Sequence, residues 1–293
     1  MEIDELDDDF RSIPDYKEFI ESVSKFDEMH LADKSIFEIN KLYYSTFKIL
    51  PFSGFSSPFL NHKFYRTRTQ NTIGVNEDLN LVKTFSYPPM GICGPGRANR
   101  QYSSVFYCAD KAVTTYYECK MKPYDTGYTG IWECINEQPL NYTCFLPIDT
   151  HPRNRWINHQ KILFGPSLNS VVFGKSAQEE FIKDYIANRY VKEIYPYPLT
   201  SFISDVILFG NHFNFFIYPS IQTNLATCNF AFSTKTVDTH MKLKQVVKFH
   251  IKTMNESTAT TTIDQIGTVV DDKILWNDPT PDEYRNLIDL YNK

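Results

Sequence analysis

The chain has 293 residues, of which 42% are hydrophobic and 15% aromatic, and its formal net charge is −5. This length and apolar content suffice for one large domain, or for one domain with a smaller appendage. The net negative charge argues against a basic, nucleic-acid-binding surface. No apolar stretch reaches the roughly 18 residues of a membrane span.

The first 58 residues are predicted to form an extension ahead of the main domain. Residues 2–9 are mostly acidic, which is typical of a solvated terminus and leaves open a docking tail for a basic partner. Apolar residues at helical spacing predict two helices, over about 15–29 and 33–49, that form a helical hairpin. The Pro- and Gly-containing segment 51–58 is interpreted as a loop, so residues 59–293 are assigned to one main domain.

The main domain is predicted to be of the α+β class, with short strands between helices. Alternation or short apolar runs predict its strands, at residues 63–68, 103–108, 128–136, 140–148 and 242–253. The third and fourth of these strands are expected to flank a turn. Asp110 is expected to cap the helix after the second strand. The capping-box spacing of Ser176 and Glu179 predicts another helix that ends near Val191.

The six cysteines form no CxxC zinc or redox pair. The chain is too large for a small disulfide scaffold, and its acidic start lacks a signal-peptide pattern. The thiols are therefore expected to be mostly buried and reduced, in a cytoplasmic protein. No histidine has a carboxylate or thiol partner at ligand spacing, so no metal is expected.

Common catalytic templates, such as the P-loop, GxGxxG, GxSxG and HExxH, are absent. The segment Gly94-Pro-Gly-Arg97 stands ahead of a predicted strand. Such a loop is either an ordinary turn or a mobile segment that delivers Arg97 to an anion. The basic patch of Arg153, Arg155 and Lys161 is interpreted as a surface loop, with binding of an adenosine phosphate as the alternative.

Six sequence blocks stand out between residues 63 and 235. In chain order they are Tyr65-Arg66, Gly94-Pro-Gly-Arg-Ala-Asn99, Val105-Phe-Tyr107, the helix from Ala112 to Glu118, Phe216-Ile-Tyr-Pro-Ser220 and Asn229-Phe-Ala-Phe232. Together they resemble the RES-domain family, and all of them stand in that family's order. The chain departs from the family pattern at two positions, where Pro95 replaces a glycine and Ala98 replaces a tryptophan.

The resemblance implies a fold related to the ADP-ribosyltransferases, which have a split mixed β-sheet core with flanking helices. It implies an enzyme whose substrate is NAD⁺ and which cleaves the nicotinamide–ribose bond. Family members are mostly toxins that a partner antitoxin holds inactive. The acceptor of the ADP-ribose group varies, and is water, phosphate or a protein side chain.

The residue types in the matching blocks suit this chemistry. Glu118 would stabilise the positive charge that develops on the ribose as the glycosidic bond breaks. Arg97, with Arg66 as second choice, would bind the pyrophosphate through a planar guanidinium. Tyr107 would offer its ring to the cationic nicotinamide, and Ser220 would hydrogen-bond the ribose or the carboxamide.

Tyr65 and Asn229, from the first and last matching blocks, complete the predicted NAD⁺-binding set. Three functions remain open: an NAD⁺ glycohydrolase or phosphorylase acting as a toxin or defence effector, a protein ADP-ribosyltransferase, and an inactive RES-like module that binds a nucleotide or a partner. The N-terminal hairpin is interpreted as a folding cap, a dimerisation element or a docking surface for an inhibitor. A homo-oligomer and a protein antitoxin therefore both remain open as partners.

Overall fold

A computed structural model describes residues 33–46, 54–159, 184–210, 213–255 and 258–291, together with positions 21, 24 and 29. Apart from those single positions, the first predicted helix lies outside the described residues, as does the predicted helix start at Ser176. The second N-terminal helix is observed, and it begins with the capping-box contact of Ser35 Oγ, which donates to Glu38 Oε2 at 2.7 Å. Residues 184–192 are helical, in agreement with the end predicted near Val191.

Helices and strands are interspersed along the chain. In addition to the helical residues 184–192, the labelled helices of the described residues are α1 Ile36–Thr46, α2 Ala112–Glu118, α3 Pro198–Phe209, α4 Thr234–His240 and α5 Pro281–Tyr291. The strands are β1 Phe55–Ser57, β2 Lys63–Thr69, β3 Val105–Ala109, β4 Thr126–Cys134, β5 Leu140–Cys144, β6 Phe215–Pro219, β7 Cys228–Ser233, β8 Met241–Met254, β9 Ala259–Val270 and β10 Lys273–Asn277. This content confirms the predicted α+β class.

The strands of the described residues form one mixed sheet in the order β1-β5-β6-β7-β3-β2-β4-β8-β9-β10. Strands β5 and β6 run parallel, and the remaining neighbours are antiparallel. Every residue of β6 and β7 is buried. Their continuous apolar runs suit a central position, because both faces of these strands are covered.

The sheet is nearly divided between β3 and β2. These two strands pair only through Tyr65 and Ala109, whereas β2 pairs along its whole length with β4 and β3 along its whole length with β7. Helix α2 spans the division, and Thr115 Oγ1 in this helix lies 2.5 Å from Thr67 Oγ1 in β2. One half-sheet is therefore β1-β5-β6-β7-β3 and the other is β2-β4-β8-β9-β10.

Three apolar clusters cover the sheet. The largest is rich in phenylalanine and includes Phe64, Phe106, Phe215, Phe230 and Phe232. A second cluster joins α3 and residues 184–192 to the other face of the first half-sheet, and Ile39 of α1 packs into it. A third lies beneath α2 and α5. Within the described part of the chain, no helix is long and apolar enough to cross a membrane.

Two predictions about the strands are wrong in detail, and one is confirmed. The strands predicted on either side of the turn after residue 136 are observed as β4 and β5, although they do not pair with each other. They lie in different half-sheets, because β4 pairs with β2 and β8 while β5 pairs with β1 and β6. The strands are not uniformly short, since β8 has 14 residues and β9 has 12. The segment 51–58 is not all loop, because β1 pairs with β5.

The prediction that Asp110 caps the following helix is also wrong. Lys111 precedes α2, and the cap has no side-chain hydrogen bond. The Asp110 carboxylate instead accepts a 2.6 Å hydrogen bond from Trp156 Nε1 and lies 2.6 Å from Arg155 Nε. These donors come from a segment distant in sequence, so the helix start alone could not indicate them. Arg155 is consequently an anchor of this segment and not a free member of a basic patch.

Candidate active site

Four adjacent strands and one helix bring most of the predicted site residues together. Arg66 lies in β2, Tyr107 in β3 and Asn229 in β7, while Ser220 directly follows β6. Glu118 is the last residue of α2, which spans the division between β3 and β2. The site therefore lies where the two half-sheets separate.

A cavity of about 320 Å³ opens at this position, a volume at the lower end of the range for small-molecule sites. Its charged lining consists of Arg66, Arg97 and Glu118, and Tyr107 and Asn229 also line it. Ser220 is fully buried beside it. Tyr65 is the exception among the predicted residues, because it is buried in the cluster beneath α2 and does not line the cavity.

The Glu118 carboxylate is held by two side chains from the family-like blocks. Ser220 Oγ donates to Glu118 Oε1 at 2.6 Å, and Asn229 Nδ2 donates to the same oxygen at 2.8 Å. Within the described residues no hydrogen bond reaches Oε2. Both donors fix the orientation of the carboxylate, and they leave one oxygen as an acceptor for a ligand in the cavity.

The Arg97 guanidinium is oriented by three contacts with one neighbouring segment. Nε donates to the Tyr190 carbonyl at 2.8 Å and Nη2 to the Glu193 carbonyl at 3.2 Å. The guanidinium also lies over the ring of Tyr197, 4.6 Å from the ring centre. Nη1 has no hydrogen-bond partner among the described residues, so donors remain for an anion.

Arg66 lines the cavity and connects β2, in one half-sheet, to β3 in the other. Its Nη1 donates to the Tyr107 carbonyl at 2.9 Å, and its Nε donates to the Ser86 carbonyl at 3.0 Å. Burial lowers the pKa of this guanidinium, yet arginine remains protonated in proteins. A partly buried cation that faces a cavity gains by pairing with an anion there.

Tyr107 holds the loop that carries Arg97. Its hydroxyl donates to Asn99 Oδ1 at 2.6 Å and accepts from the Ala98 amide at 2.9 Å. Asn99 Nδ2 in turn donates to the carbonyls of Gly94, Arg100 and Ser103 at 2.8–3.0 Å. Burial raises the pKa of the Tyr107 hydroxyl, so it remains protonated and can donate. The two departures from the family pattern thus lie in a well-bonded loop.

Two cysteines line the cavity, but neither is set up as a nucleophile. Burial raises the pKa of the Cys119 thiol to about 11 and that of Cys108 well above its usual value. Nucleophilic cysteines need the thiolate form near neutral pH. All six cysteines are free, and five are buried, which confirms the predicted burial.

The sequence did not reveal the part played by Tyr197. This residue lies in the run Tyr195-Pro-Tyr-Pro198, which matches no block of the family. Its left-handed conformation, with φ of 59°, precedes α3 and places its ring against Arg97. A tyrosine between two prolines offers no specific signal for such a contact.

Comparisons with known proteins do not assign this chain to a family. No protein-family model matches the sequence, and no curated protein matches it. Among the described residues, no group of three or more His, Cys, Asp or Glu side chains could hold a metal ion. The class of site follows from its contacts: an oriented carboxylate and two arginines share one cavity. Such a site suits a ligand that carries phosphate and develops positive charge.

Proposed function

We propose that this protein cleaves the nicotinamide–ribose bond of NAD⁺, as an enzyme of the RES-domain type. The observation that carries the proposal is the double hydrogen bond of Ser220 and Asn229 to Glu118 Oε1. It turns an exposed glutamate at a helix end into an oriented carboxylate that lines a cavity. A glutamate that merely faced solvent would not need two buried donors.

In this mechanism Glu118 acts on the ribose. Oε2 accepts a hydrogen bond from a ribose hydroxyl, and the negative charge stabilises the positive charge that develops at C1′ as the bond lengthens. Nicotinamide leaves with the electron pair of the broken bond and becomes neutral. An acceptor oxygen then bonds to C1′ and loses its proton to solvent. The cavity supplies electrostatic stabilisation and no covalent intermediate is needed.

Arg97 and Arg66 would bind the pyrophosphate. A guanidinium matches phosphate oxygens in a bidentate geometry, and Arg97 is held by two carbonyls and the Tyr197 ring before any ligand arrives. Such preorganisation reduces the conformational entropy lost on binding. Tyr107 has its hydroxyl engaged in the loop, and its ring remains for contact with the nicotinamide.

The near-division of the sheet supports the relation to ADP-ribosyltransferases. The proposed split falls between β3 and β2, which share one residue pair, and the cavity lies there. Residues 59–293 would form the catalytic domain. Fold alone does not determine function, so the proposal depends on the cavity residues.

The biological setting follows from the activity. An enzyme that depletes NAD⁺ in the cytoplasm would arrest growth, as a toxin or defence effector, and would require a protein antitoxin or immunity partner. The acceptor is proposed to be water or phosphate. Transfer to a protein side chain is the alternative, and an inactive module that binds a nucleotide would have the same cavity without turnover.

The test is to incubate the purified protein with NAD⁺, with and without phosphate, and to separate the products by mass. Free nicotinamide together with ADP-ribose indicates hydrolysis. Free nicotinamide together with phosphorylated ADP-ribose indicates phosphorolysis. A mass increase of added protein indicates ADP-ribosyl transfer. Unchanged NAD⁺ with folded protein would refute the enzymatic proposal.

A further inference from the structure

The short segment Asn154-Arg-Trp156, here called the 154–156 clamp, contacts both elements that carry the oriented carboxylate and its donor. Its first contact is with the loop after β6. Asn154 Nδ2 donates to the Leu225 carbonyl at 3.0 Å and lies 3.5 Å from the Thr227 carbonyl. The Thr227 carbonyl also accepts from the Ser220 amide at 2.9 Å. Asn154 is 1% exposed, so its amide is a buried part of this loop.

The second contact is with the start of α2. Trp156 Nε1 donates to Asp110 Oδ2 at 2.6 Å, and Arg155 Nε lies 2.6 Å from the same oxygen. The Asp110 side chain is 2% exposed, and this residue stands just ahead of α2, the helix that ends at Glu118. The clamp therefore ties down the beginning of the helix whose end carries the carboxylate.

The two arms of the clamp are also joined to each other. The backbone amide of Trp156 donates to Asn154 Oδ1 at 3.0 Å, so one amide side chain serves the loop and the clamp backbone together. On the far side, Ser220 and Glu118 meet through their 2.6 Å hydrogen bond. The contacts therefore connect the loop to the clamp, the clamp to the start of α2, and the Glu118 carboxylate at the end of α2 back to Ser220 of the loop.

We propose that the 154–156 clamp is a positioning element that sets the Ser220–Glu118 distance. This inference rests on the proposed function, since the distance matters for rate only if Glu118 acts on the substrate. None of the clamp residues lines the cavity, so the clamp acts through Ser220 and α2. Displacements of about 1 Å at a reacting group can lower rates about a hundredfold.

The experiment compares Asn154→Ala and Trp156→Phe with a matched control, Asn158→Ala. Trp156→Phe keeps an aromatic ring but removes the donor to Asp110 and part of a buried indole. Asn158 is exposed and adjoins the clamp, so the control makes the same substitution as Asn154→Ala outside the buried contacts. For each variant we would measure kcat and KM for NAD⁺, the melting temperature, and deuterium exchange by segment.

A positioning role predicts a kcat about tenfold to a hundredfold lower, with KM for NAD⁺ changed by less than about twofold. Exchange should rise in residues 220–227 for Asn154→Ala and in residues 112–118 for Trp156→Phe, while β8 and β9 stay protected. Asn158→Ala should match the wild type in every measurement.

Two results would overturn the inference. One is an unchanged kcat in folded variants, and the other is exchange that rises evenly over the sheet as the melting temperature falls. If the wild type itself leaves NAD⁺ intact, the proposed function fails separately. The exchange pattern then still decides whether the clamp holds the loop and α2 in place.

Discussion

Ser220 and Glu118 are 102 positions apart in the chain, yet Ser220 Oγ donates a 2.6 Å hydrogen bond to Glu118 Oε1. Ser220 is fully buried, whereas the glutamate reaches the cavity. A buried hydroxyl with a fixed direction therefore orients a carboxylate that is open to a ligand. This relationship connects the fold to the proposed chemistry, and the effects of the following substitutions are expected from it and from its surroundings.

Glu118→Gln should lower kcat about a hundredfold to a thousandfold, because the variant lacks the negative charge that stabilises the positive charge developing on the ribose. Affinity for NAD⁺ should change far less, since the positive charge on the ribose is absent from the ground state. Stability should fall by about 1 kcal/mol, because the hydrogen bonds from Ser220 and Asn229 keep an acceptor oxygen but lose its charge. Steady-state kinetics and thermal melting measure these effects, with exposed Glu137→Gln as the control. Near-normal turnover would remove Glu118 from catalysis.

Arg97→Lys should raise KM for NAD⁺ about tenfold, which corresponds to about 1.4 kcal/mol. Lysine keeps the charge but loses the planar contact with Tyr197 and the two carbonyl contacts at 2.8 and 3.2 Å. The pyrophosphate is present in ground and transition states, so kcat should fall less than kcat/KM. Arg285→Lys, at an exposed arginine of α5 that does not line the cavity, is the matched control. A KM equal to that of the wild type would show that Arg97 does not bind the phosphates.

Gly96→Ala and Gly94→Ala test the loop that carries Arg97. A Cβ at Gly96 would lie 2.6 Å from both Asn99 Oδ1 and the Tyr107 hydroxyl, while a Cβ at Gly94 would meet no atom within 4 Å. Gly96→Ala should therefore cost about 1–3 kcal/mol of stability and weaken NAD⁺ binding. Gly94→Ala should be neutral or slightly stabilising. Urea denaturation of both variants gives the comparison, and equal losses would argue against the Tyr107–Asn99 contact.

Because of His62, the folded protein should become less stable in mild acid. Burial, helped by nearby Arg155, lowers the pKa of His62 from 6.5 to about 4, so the ring is neutral in the folded protein at pH 7. The unfolded chain binds the proton first as the pH falls. The neutral His62 ring therefore makes its full contribution to the free energy of unfolding above about pH 6.5. Between about pH 6.5 and about pH 4 the free energy of unfolding falls by an amount on the order of 3 kcal/mol.

The variant His62→Phe should show a smaller loss of stability over that pH range, because it lacks the group that titrates. Phenylalanine suits the site, since the His62 ring lies 4.6 Å from Phe64 and 5.6 Å from Phe59. Denaturant midpoints at about pH 7 and about pH 5 measure the difference. Parallel pH dependence in the variant and the wild type would assign the acid loss to other groups.

Several elements could be predicted because their signals are local. The alternation in residues 63–68 predicted β2 and that in residues 242–253 predicted β8, whereas the buried strands β6 and β7 were not among the strands predicted from such signals. The helix that ends at Glu118 was also predicted. Pairing was not predictable in the same way, because β4 and β5 are adjacent in sequence yet bond to strands that come from other parts of the chain.

The sequence by itself determined which chemical groups are available and in what order: Arg66, Arg97, Tyr107, Glu118, Ser220 and Asn229. Only the tertiary structure decided that these six residues meet at one cavity, that Tyr65 points elsewhere, and that Asp110 binds Trp156 and does not cap α2. The physical reason is the range of the interactions. Capping, alternation and turn signals act over a few residues, whereas the contacts that orient Glu118 join positions more than 100 residues apart and form only when the two half-sheets pack.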